Sequence, residues 1–421
     1  MFAENKFSVV DFVYSISEII DLISPGLNNH HKRAGYISYS IAKEMALPDE
    51  EVKDIFLAAT LHDIGAFTNE ERVQIHLALF DDSSYNHHAI RGYKLLQKFD
   101  PLINVATLIK YHHEHFDEAK TEVPIGSYII HLADRLAILF DENSEILGQI
   151  PKIIEQIDQR QTMFHPEAVA ALRRLVKLEY FWIDASLLST HHNLLEGMRL
   201  SRETMDLKTL RSFAKTISNI IDFRSRFTAA HSSGVAAVAL ELTIISGFSE
   251  RESRLMEIAG FLHDLGKLAV PNHILEKNDA LTAEEYNEIR KHTYFTYLVL
   301  SKIKGFEAIA KWAAYHHERL NGKGYPFHIK GSDLSKLERI MVVADIVAAI
   351  TEDRPYCLGV AKEKAIKILT NLVENGGIDK GIVEIVIENF ARIQEARGKA
   401  QTEALEEYNT FRSTLDEWPI Q

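Results

Sequence analysis

The chain is written twice. Residues 30–65, HHKRAGYISYSIAKEMALPDEEVKDIFLAATLHDIG, run without a gap against residues 231–266, HSSGVAAVALELTIISGFSERESRLMEIAGFLHDLG. His30 to His62 spans 32 residues, and so does His231 to His263. Further on, 87-HHAIRGYKLL-96 parallels 292-HTYFTYLVLS-301 and 111-YHHE-114 parallels 315-YHHE-318. His88 to His112 and His292 to His316 are both 24 residues apart. The match continues with 131-HLADRLAIL-139 against 342-VVADIVAAI-350, and 164-FHPEAVAALRRL-175 against 378-IDKGIVEIVIENF-390. A period of roughly 200 residues is a domain duplication, far longer than the ~20–50 residues of a solenoid repeat. Two domains are expected, 1–200 and 201–421. The join lies near residues 190–210, where 186-SLLSTHHNLLEG-197 reads as a connector and a helix from Leu207 to Ile221 opens the second half.

Within each copy the apolar residues fall three and four apart, as in 50-EEVKDIFLAATLHD-63, 167-EAVAALRRLVKLEYF-181, 232-SSGVAAVALELTIISG-247 and 381-GIVEIVIENFARIQEA-396. Helix starts are marked by Pro48-Asp49-Glu50, by Ser249-Glu250 and by 281-LTAEE-285. No alternating strand pattern appears, so the fold class is all-α. With 10 prolines and 20 glycines in 421 residues there is little room for a turn-rich sandwich. A single cysteine, Cys357, excludes internal disulfides and suits a reducing compartment. No secretory, lipidation or membrane-spanning pattern is found, and a cytoplasmic location is expected. The net charge of −13 opposes diffuse binding to DNA or to an anionic membrane. An anionic substrate would need a local cation, which a metal ion can provide.

Twenty histidines are an unusual number, and the repeat singles out some of them. In the second copy the matched blocks carry His231, His263, Asp264, His292, His316, His317 and Asp345. Imidazole nitrogens suit zinc, iron, manganese and nickel, and a carboxylate can bridge two divalent ions. Seven such groups exceed one tetrahedral site and suit a pair of divalent transition-metal ions, iron or manganese ahead of nickel or zinc. Asp264, next to His263, is placed to be shared between them. The first copy has the same seven types in His30, His62, Asp63, His88, His112, His113 and Asp134. His30 rather than His31 is chosen because it preserves the 32-residue spacing.

The stretches 262-LHDLGKLAVPNHIL-275, 291-KHT-293, 316-HHERLNGKGYP-326 and 345-DIVAAITEDRPY-356 resemble the HD superfamily of metal-dependent phosphohydrolases, and specifically its HD-GYP branch. The likeness covers roughly 220–395. It implies a helical phosphodiesterase that opens a cyclic dinucleotide, cyclic di-GMP first, to a linear dinucleotide or mononucleotide by a metal-bridging hydroxide. Position by position it implies ligation by the seven residues above, with Asp264 and Lys267 as catalytic residues. Arg354 would bind a substrate phosphate, and Gly322, Gly324, Tyr325 and Pro326 would shape the substrate loop. On the residues alone, Lys267 could donate to a charging phosphate oxygen or be a solvated helix end. Arg354 could grip a phosphate or pair with Glu352 or Asp353. Tyr325 could stack on a base or merely pack the proline turn.

Three departures from the family pattern stand out. Phe227 replaces the glutamate that holds a third metal in some members, which favours two ions. Cys357 replaces a cation after R-P-Y, and Thr296 replaces a glycine. The last two leave open another nucleotide such as cyclic GMP-AMP. The first copy has HDIGA, with Ala66 in place of the lysine, and lacks G-x-G-Y-P. It is expected to be a regulatory or dimerising HD domain that could still hold metal and could serve a homodimer. A non-catalytic nucleotide receptor is the reading from a different class, and the intact lysine and full ligand set of the second copy weigh against it.

Overall fold

The computed structural model describes residues 7–22, 29–77, 80, 86–119, 121–187, 204–224, 228–277, 279–353 and 359–416. They are helical apart from two-residue strands at Phe7–Ser8 and Thr204–Met205 and the loops. No helix among them is long and apolar enough to cross a membrane. The chain divides into two compact units that meet at Glu203 and Thr204. Phe7 belongs with the second, where its ring meets Phe306 edge-on with centroids 5.3 Å apart.

In the second unit the helix His231–Ile245 is the hub. It packs on Glu250–Leu262, Lys336–Thr351 and Phe390–Asp416. Its sequence, HSSGVAAVALELTII, has small and apolar residues on nearly every side, which is what a helix enclosed by neighbours requires. The approach to Glu250–Leu262 is tight enough to demand glycine: a Cβ at Gly260 would lie 2.6 Å from the Cα of Ala236. That crossing brings the start of one helix, His231, beside the end of the other, His263. Ser249, Thr282 and Ser335 each form a capping box with the glutamate three residues on. Caps of this kind are worth about 1 kcal/mol each and set where these helices begin.

The first unit repeats the plan around His30–Glu44, which packs on Asp49–Leu61 and Ile125–Ile138. Gly35 plays the part of a contact residue there, since its Cβ would come 2.7 Å from the Thr60 hydroxyl.

Two expected helices are broken in the structure. The periodic run 167–181 divides into Pro166–Leu175 and Glu179–Ser186, with Leu178 extended between them. The indole Nε1–H of Trp182 takes the freed carbonyl of Val176 at 3.1 Å, which makes the break tolerable inside a packed unit. The run 381–396 likewise divides at Asn389 into Lys380–Glu388 and the 27-residue helix Phe390–Asp416. The Asn389 amide donates to the carbonyl of Ile385 at 3.0 Å, competing with the helical ladder. Most of the expected connector 186–197 lies outside the described residues.

Candidate metal centre and substrate loop

Five of the seven groups of the second unit sit at or just beyond a helix end, while His292 and Asp345 lie within their helices, and all seven turn toward one buried cluster. His231 opens its helix, His263 caps the end of Glu250–Leu262, His292 lies in Ala283–Leu300, and Asp345 lies in Lys336–Thr351. His316 and His317 follow Glu307–Ala314 after one residue. The two sequence-adjacent pairs, His263–Asp264 and His316–His317, lie past helix ends rather than along a continuous helix.

Within the centre, His263 Nε2 is 3.1 Å from Asp264 Oδ2 and His292 Nε2 is 3.4 Å from Asp264 Oδ1. His316 Nε2 is 3.2 Å from His292 Nε2 and 3.9 Å from Asp264 Oδ1. On the other side, Asp345 lies 3.4 Å from His231 and 3.8 Å from His317. Potential ligand atoms of His231, His263 and Asp264 lie within 4.8 Å of one another, as do those of His292, His316 and His317. Asp264 touches members of both groups, the position a shared carboxylate needs.

The residues fit a metal ion. The Nδ1 atoms of His263, His292 and His316 point to the carbonyls three residues earlier, those of Gly260, Ile289 and Ala313, at 2.8, 2.5 and 2.7 Å. Donation there leaves each Nε2 lone pair facing inward, the usual orienting device for a metal-binding histidine. The Nε2 of His263 is buried without a hydrogen-bond partner. Burial holds His292 down at about 3 and His317 at about 4, and pushes His316 well below its ordinary value. Three imidazoles are thus neutral and able to ligate at neutral pH. Burial opposes charge on His231 too, but Asp345 and Glu352 prevail and push it up to about 10. The buried His and Asp clusters are consistent with metal sites of HD domains.

Lys267 is not one turn along a continuous helix from His263. The helix ends at Leu262, and residues Leu265–Ala269 form a tighter 3₁₀ turn. Helix continuation is interrupted where Arg224 takes the carbonyls of Lys267 and Leu268 at 3.0 Å each and that of Val270 at 3.3 Å. The turn directs the Lys267 ammonium to Asp264 Oδ2 at 2.6 Å. Burial disfavours this charge, Asp264 more than offsets it, and the ammonium is held above its ordinary pKa. With its side chain one-fifth exposed, Lys267 contacts the carboxylate and is still reached by solvent.

The loop after His317 is built around a carboxylate that its sequence context does not betray. Glu318 is fully buried and accepts the backbone N–H groups of Phe327 at 2.8 Å and Ile329 at 3.0 Å. Gly324 crosses directly over it: a Cβ there would lie 2.4 Å from the Cα of Glu318. Gly322 has a positive φ of 72° and its N–H reaches the carbonyl of Arg319 at 2.8 Å. Tyr325 donates its N–H to the His317 carbonyl at 3.2 Å, and the two rings are 4.9 Å apart. The Arg290 guanidinium also lies over the Tyr325 ring, 4.9 Å from its centre. Pro326 follows Tyr325 through a cis peptide bond.

Glu352 is turned inward. One oxygen is 3.1 Å from His231 Nδ1 and the other accepts from Gln401 at 2.9 Å, which ties the last long helix to the centre. Gly234 leaves room for that glutamine, since a Cβ there would come 2.6 Å from its amide nitrogen. Asp353 accepts the N–H of Gly359 at 2.8 Å. Arg354, Cys357 and Phe227 lie outside the described residues.

The first unit assembles its own seven. His30 Nε2 is 3.0 Å from Asp134 and 3.3 Å from His62 Nε2, while His88 Nε2 is 3.1 Å from Asp63. His88 Nε2 is also 3.3 Å from His112 Nε2 and 3.0 Å from His113 Nε2. His62 and His112 are oriented by the carbonyls of Ala59 and Ile109, both at 2.7 Å. Burial lowers His30 to about 4 despite Asp134 beside it. Arg135, also buried, lies 3.0 Å from His113 Nδ1. His31, set aside on spacing, reaches the same cluster.

Residues 215–382 match the HD domain family, and residues 28–139 match it separately. The chain is similar to the 3'3'-cGAMP-specific phosphodiesterase 1 of Vibrio cholerae, 28% identical over 89% of this chain and 90% of that protein. The cyclic di-GMP phosphodiesterase response regulator RpfG of Xanthomonas campestris is 31% identical over 51% of this chain and 56% of its own length. Among solved structures, a V. cholerae cyclic GMP-AMP specific phosphodiesterase, V-cGAP3, superposes with a TM-score of 0.63 over 96% of this chain and 98% of that one. At 21% identity that likeness speaks to the helical two-domain fold.

Proposed function

From the premise that the chain carries two HD domains, we propose that the second is a metal-dependent phosphodiesterase of HD-GYP type, opening 3'3'-cyclic GMP-AMP in preference to cyclic di-GMP. The carrying observation is a difference within the chain. The second unit combines the His and Asp cluster with a lysine on Asp264 and a glycine-rich loop against His317, and the first has neither. Preference for the hybrid dinucleotide, the alternative expected from sequence, is supported by the V. cholerae relative matched over nine-tenths of its length, whereas the cyclic di-GMP enzyme named above matches over about half.

Divalent ions held by His231, His263, Asp264, His292, His316, His317 and Asp345 would act as Lewis acids on the phosphodiester and make water a nucleophile at neutral pH. Asp264 would be shared between them. Lys267, already charged and half-buried, would donate to a non-bridging phosphate oxygen as negative charge builds on it. Arg354 would hold the second phosphate. Tyr325, in contact with His317 and Arg290, would place an aromatic ring beside the metal ligands, where it could pack against a substrate base. Glu352 and Gln401 hold the His231 ring in register.

Turnover of a panel of cyclic dinucleotides by the metal-loaded full chain tests this. The expected result is a kcat/KM for 3'3'-cyclic GMP-AMP roughly tenfold or more above that for cyclic di-GMP, the scale that contacts to one differing base can give. Faster opening of cyclic di-GMP would return the substrate to the first expectation. Tight binding of dinucleotide without hydrolysis would favour a receptor.

A further inference from the structure

We propose that the metal centre of the first unit includes one ligand that the second does not have, the imidazole of His31, oriented by Asp21. The inference rests on the first unit holding metal at all, and it is independent of the substrate.

The argument begins with a pair of matching carboxylates. Asp21 precedes His30 by nine residues and Asp222 precedes His231 by nine (30 − 21 and 231 − 222). In the second unit Asp222 is satisfied locally, accepting the N–H of Ser232 at 3.1 Å and its hydroxyl at 2.9 Å. In the first unit the residue after the histidine is His31 instead of serine. Asp21 Oδ1 accepts the His31 N–H at 3.2 Å and lies 2.5 Å from its Nδ1. A hydroxyl ends at that hydrogen bond, but an imidazole has a second nitrogen on its far side.

That second nitrogen points into the centre. His31 Nε2 is 3.6 Å from Asp63 Oδ2, and its ring centroid is 5.1 Å from that of His62. Both residues are almost wholly buried, at 2% and 1% exposure. Neither His31 Nε2 nor either oxygen of Asp63 has a hydrogen-bond partner. A buried carboxylate that imidazoles approach without forming a well-directed hydrogen bond is costly, and so is an imidazole nitrogen facing it unmatched. One metal ion resolves both, because two bonds of about 2.0–2.2 Å span such a separation at an obtuse angle. Potential ligand atoms of His31, His62 and Asp63 lie within 4.8 Å of one another, beside the second group of His30, His62 and Asp134. The carboxylate on Nδ1 is the second partner that metal-bound histidines ordinarily have.

Two exchanges go together. Where the second unit has Ser232 and Lys267, the first has His31 and Ala66. In the second unit Asp264 Oδ2 is met by the Lys267 ammonium. In the first, Ala66 ends at its methyl group and the imidazole of His31 faces the matching carboxylate. In the second unit one side of that aspartate is taken by a partly exposed ammonium. An imidazole held at both nitrogens by buried groups fills the same side with a fixed ligand.

The test uses the full chain with its second centre disabled by Asp264→Ala, titrated with cobalt(II) and read by visible d–d absorption and chelator competition. The parent is expected to retain a cobalt site. His31→Ala should weaken cobalt binding and change the d–d spectrum. Asp21→Asn should weaken it by roughly 10–100-fold, the usual effect of losing an orienting partner. Should His31→Ala not fold, His31→Gln keeps an amide donor for Asp21 and answers the same question. Unchanged affinity and spectrum in a folded His31 variant would overturn the assignment of His31. A parent without any cobalt site would overturn the prior reading that the first unit holds metal, and this inference with it.

Discussion

Asp63 and Asp264 stand at matching points of the two repeats, each after a histidine at the end of a helix, yet different cations have been arranged around them. Asp264 has an ammonium at 2.6 Å, on a half-buried lysine from a 3₁₀ turn held open by Arg224. Asp63 is approached instead by imidazole nitrogens, from His31, His62 and His88 at 3.6, 3.4 and 3.1 Å. Beyond the aspartates the difference widens. The second unit continues past its histidine pair into a loop organised by buried Glu318, while the corresponding Glu114 of the first unit is only partly buried. The span to the next aspartate shortens from 29 residues, His316 to Asp345, to 22, His112 to Asp134. Duplication preserved the part of the domain that gathers ligands and altered the parts that would face a substrate. On the proposed reading metal binding and catalysis would be separable here, with the first unit as an internal control.

The sharpest way to break the comparison is to remove the two aspartates one at a time. Asp264→Ala should reduce hydrolysis to background and lower the metal content of the protein by elemental analysis, since Asp264 lies between both ligand groups of its unit. Asp63→Ala should leave hydrolysis near the wild-type rate. A full metal complement in Asp264→Ala would remove it as a shared ligand, and lost hydrolysis in a folded Asp63→Ala would place the chemistry in the wrong unit.

Removing the lysine should cost less than removing the aspartate it contacts. Lys267→Ala should retain metal and lower kcat roughly 10²–10³-fold, the usual consequence of removing one preorganised donor to a charging oxygen. Ala66→Lys in the first unit should create no activity, because the loop is missing and the imidazole of His31 already faces Asp63. Wild-type turnover in Lys267→Ala with normal metal would reduce the lysine to a partner of Asp264.

Glu318 sharpens the comparison from the substrate side. Glu318→Gln keeps the shape but cannot accept both N–H groups of Phe327 and Ile329, and an unmatched buried donor costs about 1–3 kcal/mol. Loosening of the loop should raise KM roughly tenfold while kcat falls less. A drop in kcat with KM unchanged would mean that the loop takes no part in holding substrate.

How legible these differences were depends on what carried them. The clustered His and Asp residues were legible because the spacings of 32 and 24 residues recur, and the structure brings the residues so marked together in each unit. Spacing selected His30, which does join the cluster, but gave no reason to look at its neighbour His31, whose imidazole reaches Asp63 without changing the register. The matching offset of Asp21 and Asp222 was present in the sequence, but acquires meaning only once the residue after each histidine is seen to bond it. The placement of Lys267 was not legible locally, because HDLGK continues a helical pattern while the 3₁₀ turn is held by Arg224, forty-three residues earlier (267 − 224). Glu318 was hidden within HHE, where its role is to bond backbone groups that have no sequence signature.

Thr296 offers the smallest effect and a direct reading of how each repeat seats its HD turn. Its hydroxyl accepts the N–H of Gly266 at 2.9 Å and donates to the carbonyl of His263 at 3.1 Å, bridging the ligand helix Ala283–Leu300 to the turn between His263 and Lys267. The first unit has Gly92 at the corresponding place, four residues after His88 as Thr296 is four after His292. There the contact is backbone on backbone: a Cβ at Gly65 would lie 2.5 Å from the Gly92 nitrogen and 2.2 Å from the His88 carbonyl oxygen. Thr296→Val keeps the volume and removes the hydroxyl, leaving a buried N–H and a buried carbonyl short of a partner. The expected loss is about 1–3 kcal/mol of stability, read as a fall in Tm, with metal content retained and kcat lowered less than the lysine substitution lowers it. An unchanged Tm would mean that the turn is seated by Arg224 and by the approach of Gly266 to His292 alone, and that the hydroxyl is an ornament of the second repeat rather than its fastening.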